Sequence, residues 1–379
     1  MSRFIISGGG TGGHVFPAIA IAQAIRIRQP GAEILFIGAK GRLEMEKVPA
    51  AGFDIQGLPI AGFIRRWTLK NLTFPFKLIR SLQKARSIIR RFKPDVVIGV
   101  GGYASGPMLR IATSLGIPAL IQEQNSFPGV TNRLLGNKVQ TICVAYEGME
   151  RYFPEEKLIL TGNPVRNDLT SFPSHLPQAF SHFGLDPSRK TILVMGGSGG
   201  SRSINKGVLA YLSEKIPENV QLLWQTGKYY FDQVTFQVSG LKDSYMTGGR
   251  TAVIILPFID RMDMAYSCAD LVVSRAGAIA ISELCLAGKP TILVPSPNVA
   301  EDHQTKNAMA LVNQEAAVLI PDPEVTEKLP HILTELIADE QRLNLLHLNI
   351  SRLGIPDAAE RIASEVFMLL KNGKNNHGS

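Results

Sequence analysis

The stretch that decides the fold is Ser7-Gly8-Gly9-Gly10-Thr11-Gly12-Gly13-His14-Val15-Phe16-Pro17. It follows the apolar run Phe4-Ile5-Ile6 and precedes a helix-like run from Ala18 to Ile27. A strand, a glycine loop and a helix in this order aim backbone N–H groups and a helix N-terminus at an anion, typically a phosphate. The stretch therefore predicts a site for a phosphate-bearing ligand.

Two interpretations of this loop compete. Gly8, Gly10 and Gly13 have the spacing of the dinucleotide fingerprint, which indicates a nicotinamide or flavin enzyme. The titratable side chain of His14, at the mouth of the loop, instead favours a sugar-nucleotide enzyme in which this histidine handles a proton. The spacing of the glycines alone does not separate them.

The second predicted strand, Glu33–Ile37, tests the dinucleotide interpretation. An NAD site needs an acidic residue near the end of that strand to hold the ribose hydroxyls. The strand is followed by Gly38-Ala39-Lys40, with no acid in place. An NADP enzyme could use Lys40 or Arg42, so the oxidoreductase interpretation is weakened and stays open.

Short apolar runs alternate with helical segments through the first half of the chain. Strands are predicted at Val96–Val100 and Ala119–Ile121, with a helix through Leu109–Leu115 between them, which indicates a parallel sheet covered by helices. Ligands bind at the carboxyl ends of such strands. The clusters Gly101–Gly106 and Gln122–Ser126 are therefore predicted to lie at the working edge. There Glu123 is a general base, an orienter of His14, or a cap for a helix that starts near Gly129.

The second half repeats the pattern. The strand Thr191–Met195 runs directly into Gly196-Gly197-Ser198-Gly199-Gly200-Ser201-Arg202, and a helix follows from Ser203 or Ile204. Two such units, one per domain, indicate an enzyme that clamps a phosphate-bearing molecule between two sheets. Asp302 and His303 lack a second ligand pair at metal spacing, so no metal site is expected.

Composition sets the broad class. A chain of 379 residues, 45% hydrophobic and 19% charged, predicts two globular domains with ample cores. Cys143, Cys268 and Cys285 each lie in an apolar run, which favours reduced core thiols in a cytosolic protein. No signal peptide is recognised, and no apolar run reaches the roughly 18 residues that a spanning helix needs. We therefore expect a soluble or peripheral protein.

The net charge of +8 is unevenly placed. Residues 1–163 hold 21 Lys and Arg against 10 Asp and Glu, whereas residues 164–379 hold 19 against 22. From Ile60 to Pro94 there are ten basic residues and no acidic one, interleaved with aromatic and aliphatic side chains. This composition is typical of a surface that binds anionic lipid. An ordinary solvated helix is the alternative; nucleic acid is disfavoured because no recognised module surrounds the patch.

These motifs, taken together, resemble a known family. Six motifs occur in the family's order: Gly9–Pro17, Gly101–Pro107, Glu123-Gln124-Asn125, Gly162-Asn163-Pro164-Val165-Arg166, Gly196-Gly197-Ser198 and Ser274–Glu283. The chain is thereby similar, from Arg3 to about Leu370, to the family 28 glycosyltransferases that add N-acetylglucosamine during peptidoglycan synthesis.

The resemblance implies an α/β GT-B fold, in which two Rossmann-like doubly wound domains face a cleft. The implied domains are 1–163, with a helix at about 357–371 packing back on it, for the acceptor and the membrane, and 164–356 for the donor. The implied reaction moves N-acetylglucosamine, with inversion, from UDP-N-acetylglucosamine to the C4 hydroxyl of the muramyl sugar of lipid I, giving lipid II. No metal or cofactor is implied. The implied location is peripheral, on the cytoplasmic face of the plasma membrane.

The resemblance also assigns residues. The implied donor contacts are Thr11, Gly12, Gly13, Asn125, Arg166, Ser198, Ile259, Ala278, Glu283 and Gln304. Membrane association is expected from Arg65, Arg66, Trp67, Lys70, Phe74 and Phe76. The chain departs from the family at two positions. The family often has His where this chain has Gln122, which argues against position 122 as the base. The family often has Gln where this chain has Gly199.

An inverting transfer needs a base for the acceptor hydroxyl and a group that stabilises the departing UDP. His14 is the first candidate for the base, since an unperturbed histidine pKa of about 6.5 suits neutral pH. Glu123 is the second candidate or its partner. Arg166 and the helix N-terminus after Ser198–Ser201 are expected to carry the leaving charge.

Overall fold

The computed structural model describes residues 1–60, 74–165, 177–197, 199–214, 216–241, 246–247 and 250–377. The chain divides into two compact units. The first contains Met1–Arg166 and Asp357–Ser379, and the second contains Asn167–Pro356. Each unit is described by itself below.

The first unit is built on a seven-stranded parallel sheet of order β3-β2-β1-β4-β5-β6-β7. Its strands are β1 (Arg3–Ser7), β2 (Glu33–Ala39), β3 (Asp54–Leu58), β4 (Val96–Gly99), β5 (Ala119–Glu123), β6 (Thr141–Val144) and β7 (Leu158–Leu160). The central strand β1 is fully buried from Phe4 to Ile6, as expected of a strand with helices on both faces. The order reverses between β1 and β4, and ligands bind at such a switch point.

Helices cover both faces of this sheet. They are α1 (Gly12–Arg28), α2 (Glu44–Ala50), α3 (Phe74–Phe92), α4 (Ser105–Ser114), α5 (Val130–Leu135) and the C-terminal helix α14 (Ala358–His377). The helix α14 packs on α1 and adds Ile362, Ala363 and Val366 to the core on that face. The opposite face is closed by α3 and α4, through residues such as Ile88 and Met108.

The second unit repeats the plan. Its six-stranded parallel sheet has the order β12-β9-β8-β13-β14-β15, which is again a doubly wound order. Its strands are β8 (Lys190–Met195), β9 (Val220–Gln225), β12 (Val253–Leu256), β13 (Leu271–Ser274), β14 (Thr291–Leu293) and β15 (Val318–Leu319), and a separate antiparallel pair consists of β10 (Met246–Thr247) and β11 (Arg250–Thr251). Its helices are α6 (Pro177–Phe183), α7 (Arg202–Ser213), α8 (Phe231–Ser239), α9 (Met262–Cys268), α10 (Ala278–Ala287), α11 (His303–Val312), α12 (Val325–Ala338) and α13 (Glu340–Ser351).

The structure confirms the predicted α/β class and moves several boundaries. Helix α1 begins at Gly12, six residues before the predicted start at Ala18. Thr11 is its extended N-cap, and its carbonyl accepts the N–H groups of His14 and Val15. Pro17 therefore lies inside a helix rather than ahead of one. Strand β5 continues two residues past the predicted end at Ile121, to Glu123.

Two further expectations concern the membrane and the cysteines. Within the described part of the chain, no helix is both long and apolar enough to cross a membrane.

The three cysteines are buried and unbridged, as the apolar runs predict. Burial raises the pKa of the Cys268 and Cys285 thiols to about 12, which makes them unreactive near neutral pH.

Candidate functional site

His14 lies in the first turn of α1, at the carboxyl edge of the first sheet. Its Nδ1 is 3.2 Å from the hydroxyl of Thr11, the N-cap residue. Gly12 and Gly13 form the same turn, and the turn contains no acidic residue that would offset the partial positive charge of the helix N-terminus. Thr11, Gly12, Gly13 and His14, all predicted from the sequence, are thus grouped at one helix end.

Glu44 anchors the first glycine loop. This carboxylate, on the first residue of α2, is 1% exposed; its Oε2 accepts the Gly10 N–H and its Oε1 accepts the Ala39 N–H, both at 2.9 Å. A Cβ on Gly9, where φ is +144°, would stand 2.3 Å from the same carboxylate. Position 9 requires a glycine because Glu44 approaches its backbone so closely. The Gly10 N–H already donates to Glu44 in the absence of a ligand.

The turn after β4 approaches His14 from the neighbouring strand. Gly101 has φ of +88°, and a Cβ there would stand 2.7 Å from Cδ2 and 2.9 Å from Nε2 of His14. The next residue, Gly102, has no room for a Cβ because the Gly9 carbonyl oxygen would be 2.2 Å from it. The predicted Gly101–Gly106 cluster therefore packs directly on the first glycine loop.

Glu123 is 2% exposed, and both of its oxygens are occupied. Oε1 accepts the backbone N–H and the side-chain N–H of Asn125, and Oε2 accepts Gly129 N–H and Asn132 Nδ2–H at 3.1 and 2.8 Å. Burial raises the pKa of this carboxyl, and the four N–H donors oppose the rise. Gly129 is the N-cap of α5, so these contacts are those of the helix-capping alternative, and they also fix the position of Asn125.

Gln122, Gln124 and Asn163 form a second buried network on the other side of β5. Gln122 Nε2 donates to Asn163 Oδ1 at 3.0 Å, and Asn163 Nδ2 donates to the Gln124 carbonyl at 3.0 Å. Gln124 Nε2 donates to the Val100 carbonyl at 2.9 Å and to the side-chain oxygen of Gln122. Gln122 is therefore a fully buried member of this network, and that it is not the base stays a prediction.

The second glycine loop packs against the loop that follows β9. Gly200 and Gly227, with φ of +79° and +86°, are so close that a Cβ on Gly227 would stand 2.4 Å from the Gly200 Cα. Ser201 caps α7 by accepting the Ile204 N–H, and the first turn of α7 has no acidic residue. A Cβ on Gly199 would meet no atom of the described residues within 4 Å.

Gln225 joins this loop to Ile259. Its Nε2 donates to the Gly197 carbonyl at 3.1 Å, and its Oε1 accepts the Ile259 N–H at 2.8 Å. Ile259, a predicted donor contact, is 2% exposed. Because its N–H is used by Gln225, a ligand here would bond the Ile259 carbonyl or displace the glutamine.

Ala278 and Glu283 lie on α10, at the carboxyl end of β13. Ala278 is the first residue of the helix, after the extended N-cap Gly277, and no acid lies in the first turn. Glu283 is half-buried and accepts a hydrogen bond from the Tyr266 hydroxyl at 3.1 Å. This contact holds the carboxylate that was predicted to bind the donor.

Arg275 ties three segments of this edge together. Its Nη1 donates to the Val294 and Pro295 carbonyls, both at 3.1 Å, and to Asp322 Oδ1 at 2.5 Å, and its Nη2 donates to the Ser203 hydroxyl at 3.0 Å. The predicted contact Gln304, on α11, accepts the Ser296 N–H at 2.8 Å, just beyond Pro295. The predicted donor contacts Ile259, Glu283 and Gln304 thus lie on segments fixed by buried or half-buried side chains.

Several predicted residues are not in the described structure. Arg166 and Ser198, expected near the diphosphate, and four of the membrane residues, Arg65, Arg66, Trp67 and Lys70, lie outside the described residues. Phe74 begins α3, and Phe76 is 71% exposed on it.

Sequence reasoning missed Glu44, Gln225 and the contacts of Arg275. The only available signal for Glu44 was an acid five residues after β2, which is too far to lie at the strand end. Gln225 is the last residue of β9. Both side chains act on glycine loops that are distant in sequence.

Two family models match the chain. Residues 4–144 match the glycosyltransferase family 28 N-terminal domain, and residues 191–362 match the family 28 C-terminal domain. Proteins named UDP-N-acetylglucosamine–N-acetylmuramyl-(pentapeptide) pyrophosphoryl-undecaprenol N-acetylglucosamine transferase are similar over nearly the full length. That of Parabacteroides distasonis is 52% identical over 97% of this chain and 98% of its own, and that of Bacteroides fragilis is 54% identical over 97% and 95%.

Solved structures agree with this assignment. The crystal structure of Acinetobacter baumannii MurG has a TM-score of 0.78 and 26% identity, covering 97% of this chain and all of its own. A UDP-GlcNAc 2-epimerase from Neisseria meningitidis, with a TM-score of 0.66 and 15% identity over 97% of this chain and all of its own, shares the fold alone. Since the fold also serves an epimerase, the fold does not decide the reaction. The two family models together do decide the family: the chain has a GT-B fold and belongs to glycosyltransferase family 28.

Proposed function

We propose that this chain transfers N-acetylglucosamine from UDP-N-acetylglucosamine to the C4 hydroxyl of the muramyl sugar of lipid I, giving lipid II. The observation that carries this is the 52% identity, over 97% of the chain, to a relative named for that transfer. The motifs that distinguish the family, such as the first glycine loop and the polar run after β5, lie at carboxyl ends of strands, where doubly wound sheets bind ligands.

The donor is held chiefly by the second unit. The N-termini of α7 and α10 lack acidic residues and suit the diphosphate, and Glu283 suits the ribose, whose two hydroxyls can donate to one carboxylate. The apolar segment that ends in Ile259 suits the face of the uracil ring. Arg166, Ser198 and Gln304 complete the proposed donor set, with Thr11, Gly12, Gly13 and Asn125 from the first unit.

The first unit supplies the base. His14 takes the proton of the acceptor hydroxyl as the hydroxyl oxygen attacks the anomeric carbon and UDP departs. Glu123 supports the site in this proposal, since its oxygens are engaged by four N–H donors and it holds Asn125 in place. An oxidoreductase that uses the first loop for a dinucleotide meets an obstacle, because the Glu44 carboxylate would repel a diphosphate at the Gly10 N–H.

The acceptor is reached at an anionic membrane surface on the cytoplasmic side. Support comes from the start of α3, where the exposed apolar Phe76 and Ile79 stand beside the exposed Lys77 and Arg80. With Arg65, Arg66, Trp67, Lys70 and Phe74, they form the proposed membrane-associating segment. Co-sedimentation with vesicles that contain anionic phosphatidylglycerol tests it. Charge reversal at Lys77 and Arg80 should reduce binding, and binding that is indifferent to the reversal would contradict the proposal.

The reaction is tested with radiolabelled UDP-N-acetylglucosamine and three acceptor conditions: lipid I, a diacylglycerol, and none. Label should pass only to lipid I. Transfer to diacylglycerol would make the chain a glycolipid synthase, and UDP binding without transfer would make it a sugar-nucleotide sensor. His14→Ala should abolish most turnover with donor affinity unchanged, whereas His331→Ala, at an exposed histidine on α12, should change neither. Near-full turnover by His14→Ala would overturn the assignment of the base.

A further inference from the structure

One side-chain atom next to His14 is unexplained. Gln124 is 2% exposed, and its Oε1 is buried without a hydrogen-bond partner among the residues that the structure describes. Buried polar atoms in folded proteins nearly always have a partner, so this oxygen needs a reason to be where it is.

The orientation of the Gln124 amide is fixed by its network. A backbone carbonyl can only accept, so the group that faces it must be an amide NH₂. The Val100 carbonyl therefore orients the side chain of Gln124, and the Gln124 carbonyl orients the side chain of Asn163. Asn163 Oδ1 must then accept from Gln122, whose own oxygen accepts from Gln124 Nε2. Both hydrogens of Gln124 Nε2 are used, and a reversed amide would set oxygen against oxygen at Val100 and Gln122. The free atom of this amide is therefore the oxygen.

That oxygen faces the space beside Gly101. The point that a Cβ on Gly101 would occupy is 3.6 Å from Gln124 Oε1 and 2.9 Å from His14 Nε2. Because glycine has no Cβ, the oxygen and the ring nitrogen border the same small space. The other ring nitrogen, Nδ1, faces the Thr11 hydroxyl at 3.2 Å.

We propose that Gln124 is a positioning residue: a small rotation of the His14 ring beside Gly101 brings its Nε2–H within hydrogen-bond distance of Gln124 Oε1, and Nδ1 is then the nitrogen that takes the acceptor's proton. This inference rests on the proposed role of His14 as the base. Before the acceptor binds, the Thr11 hydroxyl donates to Nδ1. In the reaction, the acceptor hydroxyl gives its proton to Nδ1 while its oxygen bonds to the anomeric carbon. The bond from that carbon to the UDP oxygen breaks, and the electron pair leaves with UDP. The imidazolium then strengthens its hydrogen bond to Gln124.

The surroundings of His14 contain charged groups that do not replace this contact. The titratable side chains on the β2–α2 loop, the first residue of α2, the β4–α4 turn and the end of β5 are Lys40, Arg42, Glu44, Tyr103 and Glu123. The two carboxylates among them are each held by N–H donors. An uncharged oxygen fixes the tautomer of His14 without placing a further negative charge where UDP departs.

The tautomer is tested on the whole protein without substrate. We expect ¹⁵N NMR of the histidine rings, with His14 assigned by its loss in His14→Asn, to show Nε2 protonated and Nδ1 unprotonated at pH 8. A protonated Nδ1, donating to Thr11, would overturn the proposal. The tautomer is measured without transfer activity. The proposed tautomer can therefore be wrong while the proposed function is right, and the proposed function can be wrong while the tautomer is right.

The pH dependence of turnover supplies the second test. In Gln124→Met, the imidazolium loses its acceptor, so the acid limb of kcat/KM should move to lower pH and kcat should fall about tenfold, while donor KM stays within twofold. The ¹⁵N spectrum of this variant should show mixed tautomers. The control is Gln29→Met at the C-cap of α1, where another Oε1 is buried with no partner in the described part of the chain, and it should leave the profile unchanged. An unshifted acid limb in a folded Gln124→Met would contradict the proposal.

Discussion

The carboxylate of Glu44 accepts the N–H of Gly10 at 2.9 Å, so the first glycine loop is held by a negative charge from the neighbouring helix. The same carboxylate accepts the N–H of Ala39 at the end of β2, and it is 1% exposed. A hydrogen bond to an ionised group contributes about 1.5–3 kcal/mol in proteins. Glu44 thereby fixes the loop on which His14 stands, and it does so from the region where a dinucleotide enzyme holds its ribose.

Glu44→Gln is expected to destabilise the first unit. One carboxylate oxygen becomes an NH₂ group, which must face either the Gly10 or the Ala39 N–H, so the free energy of unfolding should fall by about 2 kcal/mol. Urea unfolding measures this. Glu46→Gln, on the same helix but with a 74% exposed side chain, should change stability by less than about 0.5 kcal/mol. Equal effects of the two substitutions would show that the loop does not depend on Glu44.

Gly101→Ala should reduce turnover by displacing His14. The new Cβ would stand 2.7 Å from His14 Cδ2, and φ at this position is +88°, which costs a non-glycine residue about 1–2 kcal/mol. Gly116→Ala separates the backbone strain from the contact with His14. At Gly116 φ is +71°, so an alanine is strained, but its Cβ would meet no described atom within 4 Å. We expect both variants to lose similar stability in thermal unfolding. Only Gly101→Ala should lose kcat, by at least tenfold, with UDP affinity retained. Retained turnover in Gly101→Ala would show that the packing of His14 on this turn does not matter.

The two parallel sheets were predictable because short apolar runs alternate with helices in both halves, and each first strand leads into a glycine loop. The start of α1 at Gly12 was not predictable, because a glycine-rich run followed by Pro17 is typical of a loop. Only the extended N-cap Thr11, whose carbonyl accepts the first N–H groups, makes Gly12 and Gly13 helical.

The polar run after β5 shows how a small boundary error hides a site. The predicted strand ends at Ile121, so residues 122–125 are one undivided polar loop in the prediction. The strand continues to Glu123, and side chains alternate across a strand. Gln122 and Gln124 therefore bond to each other on one side, while Glu123 faces α5 on the other. The residue types were visible in the sequence, and their separation into two networks was not.

Stability should depend on pH through Glu123. Burial raises the pKa of this carboxyl in the folded chain above its ordinary value near 4.5. The folded state then binds more protons than the unfolded state between these two values, so the stabilisation is complete below the ordinary pKa and is lost as the pH rises through the raised one. Glu123→Gln does not titrate. The stability of the wild type relative to this variant, from urea unfolding between pH 4 and 8, should therefore be greatest at pH 4 and decline as the pH rises. A relative stability that grows with pH would mean that the four N–H donors outweigh burial.

Arg275→Lys should weaken UDP binding more than it weakens the fold. A lysine ammonium cannot reach the Val294 and Pro295 carbonyls, Asp322 and the Ser203 hydroxyl together, so the start of α7 and the segment after β14 lose their common anchor. Both segments lie beside the proposed donor contacts, and we expect the Kd for UDP, measured by calorimetry, to rise about tenfold, or roughly 1.4 kcal/mol. Arg189→Lys is the matched control, because Arg189 precedes β8 at the opposite end of the same sheet and pairs with Asp186 at 4.0 Å. That variant should bind UDP as the wild type does. If Arg275→Lys did so too, the donor site would not depend on this arginine, and its contacts would serve the fold alone.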